Sequence, residues 1–154
     1  MRYWLMKTEP SVVGIDHVLA MPGKSVAWWG VRNYQARNFM RDQMQVEDKV
    51  FFYHSNCPET GIAGLAVVAK RAYPDETQFD PDGHYYDPKA SRENPRWINV
   101  DVKVTRKIRL IGLDELRAHP QSELRVHPQR NPDTPFCSNL KFLPRLAVAC
   151  SAFP

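Results

Sequence analysis

SVAWWGVRNYQARNFMRDQMQVEDKVFFYHSN, residues 25–56, is the stretch on which the reading of this 154-residue chain turns. It carries Trp28 and Trp29, passes through Gly30 into a helical pattern, and closes in a strand pattern ending Tyr53, His54, Ser55, Asn56. Broad ring faces and hydrogen-bonding groups therefore arrive from neighbouring elements. That combination suits a planar ligand with a polar edge, such as a nucleobase, because ring faces stack while amides and hydroxyls read the edge. The same residues also suit a plain Trp/Phe core followed by an ordinary turn, the commoner use of an aromatic cluster.

Within this stretch, residues 31–44 predict one amphipathic helix. Val31, Tyr34, Phe39, Met40 and Met44 fall near helical spacing, with Arg32, Arg37, Arg41 and Asp42 on the other faces. Its first turn, 30–33, would then offer free amides at the positive end of the helix, beside Arg32 and Asn33. An anionic or carbonyl-rich ligand fits such a place. Alternatively, Arg32 and Asn33 satisfy nearby backbone groups.

Working outward, residues 2–7 (RYWLMK) read as a buried strand stopped at Pro10. Ser11 is placed to cap a brief helix over 12–20, weakened by Gly14 and ended by Pro22 and Gly23. Residues 49–54 (KVFFYH) and 61–71 (GIAGLAVVAKR) predict two strands across a turn. Gly61 and Gly64 lack the dinucleotide fingerprint and mark a bulge or close backbone approach. Residues 73–95 form a polar surface excursion whose Phe79, Tyr85 and Tyr86 imply that part of it folds back over the body. The cleanest alternation is in 97–108, with Ile98, Val100, Val102 and Val104 facing one way. A short helix at 113–118, a proline-rich stretch at 121–135 and a closing strand at 145–151 complete the chain. The whole predicts a single α+β domain over 1–154, built on a small barrel or curled sheet.

At 43% hydrophobic and 25% charged, the chain is an ordinary globular one. Arg2, Lys7 and Glu9 interrupt any leader-like start, and no apolar run nears the ~20 residues that span a bilayer. The expectation is a soluble, intracellular protein with no membrane association. Cys57, Cys137 and Cys150 are odd in number and widely separated, which argues against a disulfide framework or structural zinc. His54 with Cys57 offers too few ligands for a metal site. Asp75, Asp80, Asp82 and Asp87 miss calcium-loop spacing. A net charge of +4 is compatible with nucleic acid without demanding it. Of catalytic signatures, only Ser55 or Cys57 with His54, oriented by Glu9 or Asp87, is available. Strand neighbours point to opposite faces, so the set assembles only if the chain turns there.

Four segments in this order resemble the EVE domain family of the PUA-like superfamily, and its thymocyte nuclear protein 1-like group in particular. They are YWLMKTEP at 3–10, WWGVRNYQARNFMR at 28–41, FFYHSN at 51–56 and PRWINVDV at 95–102. The resemblance implies a PUA-like small curled β-barrel flanked by short helices. It also implies a non-catalytic, cofactor-free, monomeric domain that binds nucleic acid and reads a modified base, modified cytosine in DNA above all. An RNA-binding module of YTH type, or a small nucleotide-processing enzyme, is the alternative. Location would be cytoplasmic, nucleoid-associated, or nuclear in a eukaryote. Carried onto this chain, the first motif supplies Trp4, Lys7, Thr8 and Glu9 to the ligand site. The second supplies Trp28, Trp29, Gly30, Val31, Arg32, Asn33 and Tyr34, and the third Tyr53, His54, Ser55 and Asn56. A base would stack on Trp28 or Trp29 while Ser55, Asn56 and backbone groups read its edge. Lys7, Arg32 or Arg37 would meet phosphate. Two departures stand out: Thr8 occupies a place where serine is commoner, keeping the hydroxyl, and the sequence ends at Phe153 and Pro154 where the family often continues into a helix.

Overall fold

The first apolar run forms strand β1 (Tyr3–Thr8), with Trp4, Leu5 and Met6 all buried. Burial on both faces fits its central place: it pairs in parallel with β3 (Lys49–His54) on one side and β6 (Leu146–Cys150) on the other. These elements come from a computed structural model that describes residues 1–118 and the backbone of residues 146–150. Beyond β3 the pairing is antiparallel, through β4 (Gly61–Pro74) and β5 (Ile98–Gly112) to β2 (Ser25–Ala27). The strand order is β2-β5-β4-β3-β1-β6.

The mixed α+β class is as expected, but the sheet is open where a barrel was expected. Strands β2 and β6 stand at opposite ends, each with one partner among the described residues. With three residues, β2 offers little ladder for closure. Register shifts along β3, β4 and β5 still bend the sheet. The alternation in β5 is realised, with Val100, Val102 and Val104 buried while Lys103 and Thr105 face solvent. At the shift beside Gly64, a side chain would collide with Ile15 and the Arg106 carbonyl. Glycine there lets a helix lie directly on the strand.

That helix is α2 (Ile15–Ala20), separated by an extended Gly14 from α1 (Pro10–Val13). The single helix expected over 12–20 is therefore two, and Pro10 opens the first because a first-turn proline has no amide bond to lose. Helix α3 (Tyr34–Asp42) is shorter than the expected 31–44, since the Asn33 side chain accepts the Ala36 amide at 2.9 Å and caps it. Val31 and Met44 are buried just outside its ends, which is why they extended the apparent periodicity. The core gathers Met6, Ile15, Val18, Trp28, Met40, Phe52 and Val100 between sheet and helices. Each large apolar side chain so buried contributes roughly 1.5–3 kcal/mol.

The 73–95 excursion is stapled rather than loose. It leaves β4, makes a 3-10 turn at Glu76–Phe79, and returns to β5. Buried Gln78 holds its two ends, donating to the carbonyls of Asp75 and Trp97 and accepting the amides of Arg96 and Trp97. Helix α4 (Leu113–Ala118) follows β5, and the closing strand of 145–151 appears as β6. The 121–135 stretch lies outside the described residues.

Candidate functional site

Parallel pairing brings the ends of β1 and β3 side by side, with Thr8 opposite His54. The chain then turns, and both the amide and the hydroxyl of Ser55 donate to the Thr8 carbonyl, at 2.8 and 3.2 Å. His54 Nε2 accepts the Ile15 amide at 3.1 Å, and burial lowers the imidazole pKa, so the ring is neutral there. Cys57 donates to the Glu59 carbonyl, its thiol pushed up by burial. No nucleophile–base contact joins Ser55 or Cys57 to His54, because each is committed elsewhere. One pair back, Lys7 and Tyr53 point to the opposite face by strand alternation. Asn56 is exposed in a left-handed conformation at the turn.

A second group of residues is drawn in by Asp75, which is fully buried. Its Oδ2 accepts the Gly30 amide at 3.0 Å and pairs with Arg32 Nη1 at 2.9 Å. Its Oδ1 accepts from the amide and hydroxyl of Thr77. Burial alone would raise this carboxyl, but the Arg32 guanidinium, Thr77 and Gly30 outweigh it and hold the pKa low. Arg32 reaches further, to Thr77 Oγ1 at 3.0 Å and the Tyr85 carbonyl at 2.6 Å. Of the free amides expected at 30–33, that of Gly30, at φ 77°, already donates to Asp75, while the Asn33 side chain accepts the Ala36 amide and caps the helix. Tyr85 is brought edge-on to Trp29, ring centroids 5.8 Å apart.

Trp28 is buried and meets Phe52 edge-on at 5.5 Å. Phe52 shares a sheet face with Met6, His54 and Thr8, so Trp28 and Thr8 lie on the same side of the sheet. Glu9, next to Thr8, is near enough to Tyr85 that its charge adds to the burial raising that phenol. Trp28, Trp29, Thr8, Glu9 and Tyr85 therefore collect at one end of the fold. Three buried polar atoms here, Thr8 Oγ1, Trp28 Nε1 and Tyr85 Oη, have no hydrogen-bond partner among the described residues. Most buried polar atoms are paired, so these three are exceptions among the described residues. An indole N–H only donates, whereas the two hydroxyls donate or accept.

The remaining motif residues fall elsewhere. Trp4 is buried at the other end of β1, its indole donating to Asp48 at 2.9 Å. Val31 is core. Tyr34 is half exposed at the start of α3, over Trp97 at 4.9 Å. Asp75, Thr77 and Tyr85 were not singled out from sequence as site residues, since they lie 43 to 53 positions from Arg32 in a segment without periodicity. No three His, Cys, Asp or Glu side chains gather as a metal site among the described residues, and none of their helices is long and apolar enough to cross a membrane.

The family model described as EVE domain matches residues 2–135. The chain belongs to the EVE domain family. Thymocyte nuclear protein 1 of Rattus norvegicus is 46% identical over 130 residues, covering 78% of this chain, and that of Homo sapiens is 45% identical over the same span. The EVE chain here spans 57% of the length of these curated relatives. Among solved structures, a Pseudomonas syringae protein superposes with TM-score 0.73 at 47% identity, covering 79% of this chain and 80% of that one. The human THYN1 protein, solved in complex with 5-methylcytosine-containing DNA, gives TM-score 0.73 at 45% identity, covering 79% of this chain and 77% of that one.

Proposed function

We propose that this chain binds nucleic acid and reads a modified base without catalysing a reaction on it, modified cytosine in DNA being the favoured ligand. The observation that carries the reading is that three buried polar atoms, from Thr8, Trp28 and Tyr85, lack hydrogen-bond partners among the described residues, with Trp29 edge-on to Tyr85. A flat ligand with a hydrogen-bonding edge satisfies both features at once. The 5-methylcytosine DNA bound by the human relative, 45% identical to this chain, supports the choice of base.

In this account an extruded or single-stranded base enters at the Trp29–Tyr85 pair and stacks there, with Trp28 as the deep wall. The Trp28 N–H donates to a ring or carbonyl acceptor, and the Thr8 and Tyr85 hydroxyls, with Asn56, complete the edge. Ser55 and neutral His54 hold the end of β1 in place, and Gly30, Arg32 and Asn33 shape the wall. Stacking contributes ~1–3 kcal/mol per base, while extrusion from a duplex costs a few kcal/mol. Phosphate contacts from the arginines supply the difference, so affinity falls as salt rises; Lys7, on the opposite sheet face, takes no part.

The test is a tryptophan-fluorescence titration against single-stranded and duplex oligonucleotides, in DNA and RNA, with and without 5-methylcytosine. The account expects a saturable change for methylated DNA that is stronger than for unmodified DNA and weakened in Trp28→Phe. Preference for modified RNA would move the reading to an RNA module. A flat response to every oligonucleotide would overturn it.

A further inference from the structure

From the site mouth to the surface, aromatic rings and guanidinium groups follow one another in an unbroken series. Trp29 meets Tyr85 at 5.8 Å, and the Arg32 guanidinium lies 5.1 Å from the Tyr85 ring and 5.4 Å from that of Trp97. Trp97 meets Tyr34 at 4.9 Å with only 31° between the rings. On the Tyr34 ring converge Arg37, at 4.9 Å, and Arg96, at 5.7 Å, which also donates to the Tyr34 hydroxyl. Core packing does not require this series, since Tyr34 ends it 49% exposed.

The outer end is held rigid. The Trp97 indole donates to Asp87 at 2.7 Å, Arg96 pairs with the same carboxylate, and Arg37 donates to the Arg96 carbonyl at 3.0 Å. An exposed aromatic so braced loses little freedom when a ring stacks on it. Arginines also gather here, and burial, then Arg41 and Arg96, lower the Arg37 pKa against the opposing pull of Tyr34 and Asp42. A phosphate relieves such crowding. A ring face for a base, with guanidinium groups beside it, is the composition of a single-strand contact.

We propose that the Tyr34 end of this series is a second contact surface for the same nucleic-acid strand, stacking on the base next to the captured one while Arg37 and Arg96 meet its flanking phosphates. The proposal rests on the reader reading above and adds how many nucleotides the protein engages.

The experiment compares wild type, Tyr34→Ala, Tyr34→Phe and Arg37→Gln with two probes: 5-methyl-2′-deoxycytidine monophosphate, followed by NMR titration, and a single-stranded DNA nonamer carrying one central 5-methylcytosine. Tyr34→Ala is expected to weaken the nonamer about 5- to 150-fold, the stacking worth of one base, and leave the mononucleotide unchanged. Tyr34→Phe, which keeps the ring, is expected to bind the nonamer within about threefold of wild type, because stacking is the larger part. Arg37→Gln is expected to lower the salt slope for the nonamer by about one. Equal losses for both probes in Tyr34→Ala would assign Tyr34 to shaping the inner site and overturn the proposal. An unchanged nonamer affinity in Tyr34→Ala would overturn it as well, with the reader reading intact. Failure of wild type to bind either probe would instead overturn the reader reading itself, and this surface with it.

Discussion

The two ends of strand β1 bury comparable side chains and treat their polar atoms in opposite ways. At the Trp4 end, the indole N–H donates to Asp48, whose carboxylate also accepts the amides of Arg2 and Gln45. No buried side-chain polar atom there lacks a partner among the described residues. At the Thr8 end, the Asp75 carboxylate organises an equally dense network, yet Thr8 Oγ1, Trp28 Nε1 and Tyr85 Oη remain without partners among the described residues. In the proposed reading, the closed end carries stability and the open end carries recognition.

The largest effect should come from Asp75→Asn, which removes the charge facing Arg32 in a buried pair and costs about 3–5 kcal/mol in a urea melt. Because Asp75 also anchors Gly30 and the turn leading to Tyr85, base binding should fall with it. Loss of stability with unchanged affinity would detach the network from the site. Acid works in the same direction. The folded Asp75 and Asp48 carboxyls lie below their unfolded values. Their contribution is therefore complete above about pH 4 and is lost as pH falls through the lower folded values. Thermal melts from pH 6 to pH 2 should show the transition temperature declining below about pH 4, with a shallower decline in Asp75→Asn.

The sharpest contrast is between two matched substitutions. Trp4→Phe removes one of the three donors to the Asp48 carboxylate and should destabilise by about 1.5–3 kcal/mol for that bond, in addition to the cavity left by the smaller ring, with no change in affinity. Trp28→Phe opens a similar cavity in the core but removes no hydrogen bond made within the described residues, so it should destabilise less than Trp4→Phe by about 1.5–3 kcal/mol, while affinity falls about tenfold, the worth of one hydrogen bond. Similar stability losses in both would erase the distinction between the two ends.

Much of this architecture was legible in the residues, for identifiable reasons. Strands β1, β3 and β5 announced themselves through apolar runs and the Ile98 to Val104 alternation, because pairing and burial act at period two. The helix after the tryptophans was read too long because buried Val31 and Met44 fit its period, whereas the decisive cap is the Asn33 side chain on the Ala36 amide. The barrel expectation overran a sheet whose β2 is too short to close it. For the candidate site, the joining of the segments at 8–9, 28–29 and 54–56 comes only from the family resemblance of their motifs. Asp75 and Tyr85 could not be named from sequence, since their roles depend on contacts across more than 40 positions that leave no local pattern. Nor could sequence separate Trp4 from Trp28, which differ only in what meets the indole N–H.

Thr8→Val puts the central claim to the most direct test. The change keeps the shape of the side chain and removes one buried hydroxyl that has no partner among the described residues. Measured on one preparation, thermal stability should be equal to or slightly above wild type, while affinity for a 5-methylcytosine oligonucleotide falls at least ~5-fold, one lost hydrogen bond. Wild-type affinity in Thr8→Val would contradict the account, for the unpartnered atoms at this end of the sheet would then have no part in binding.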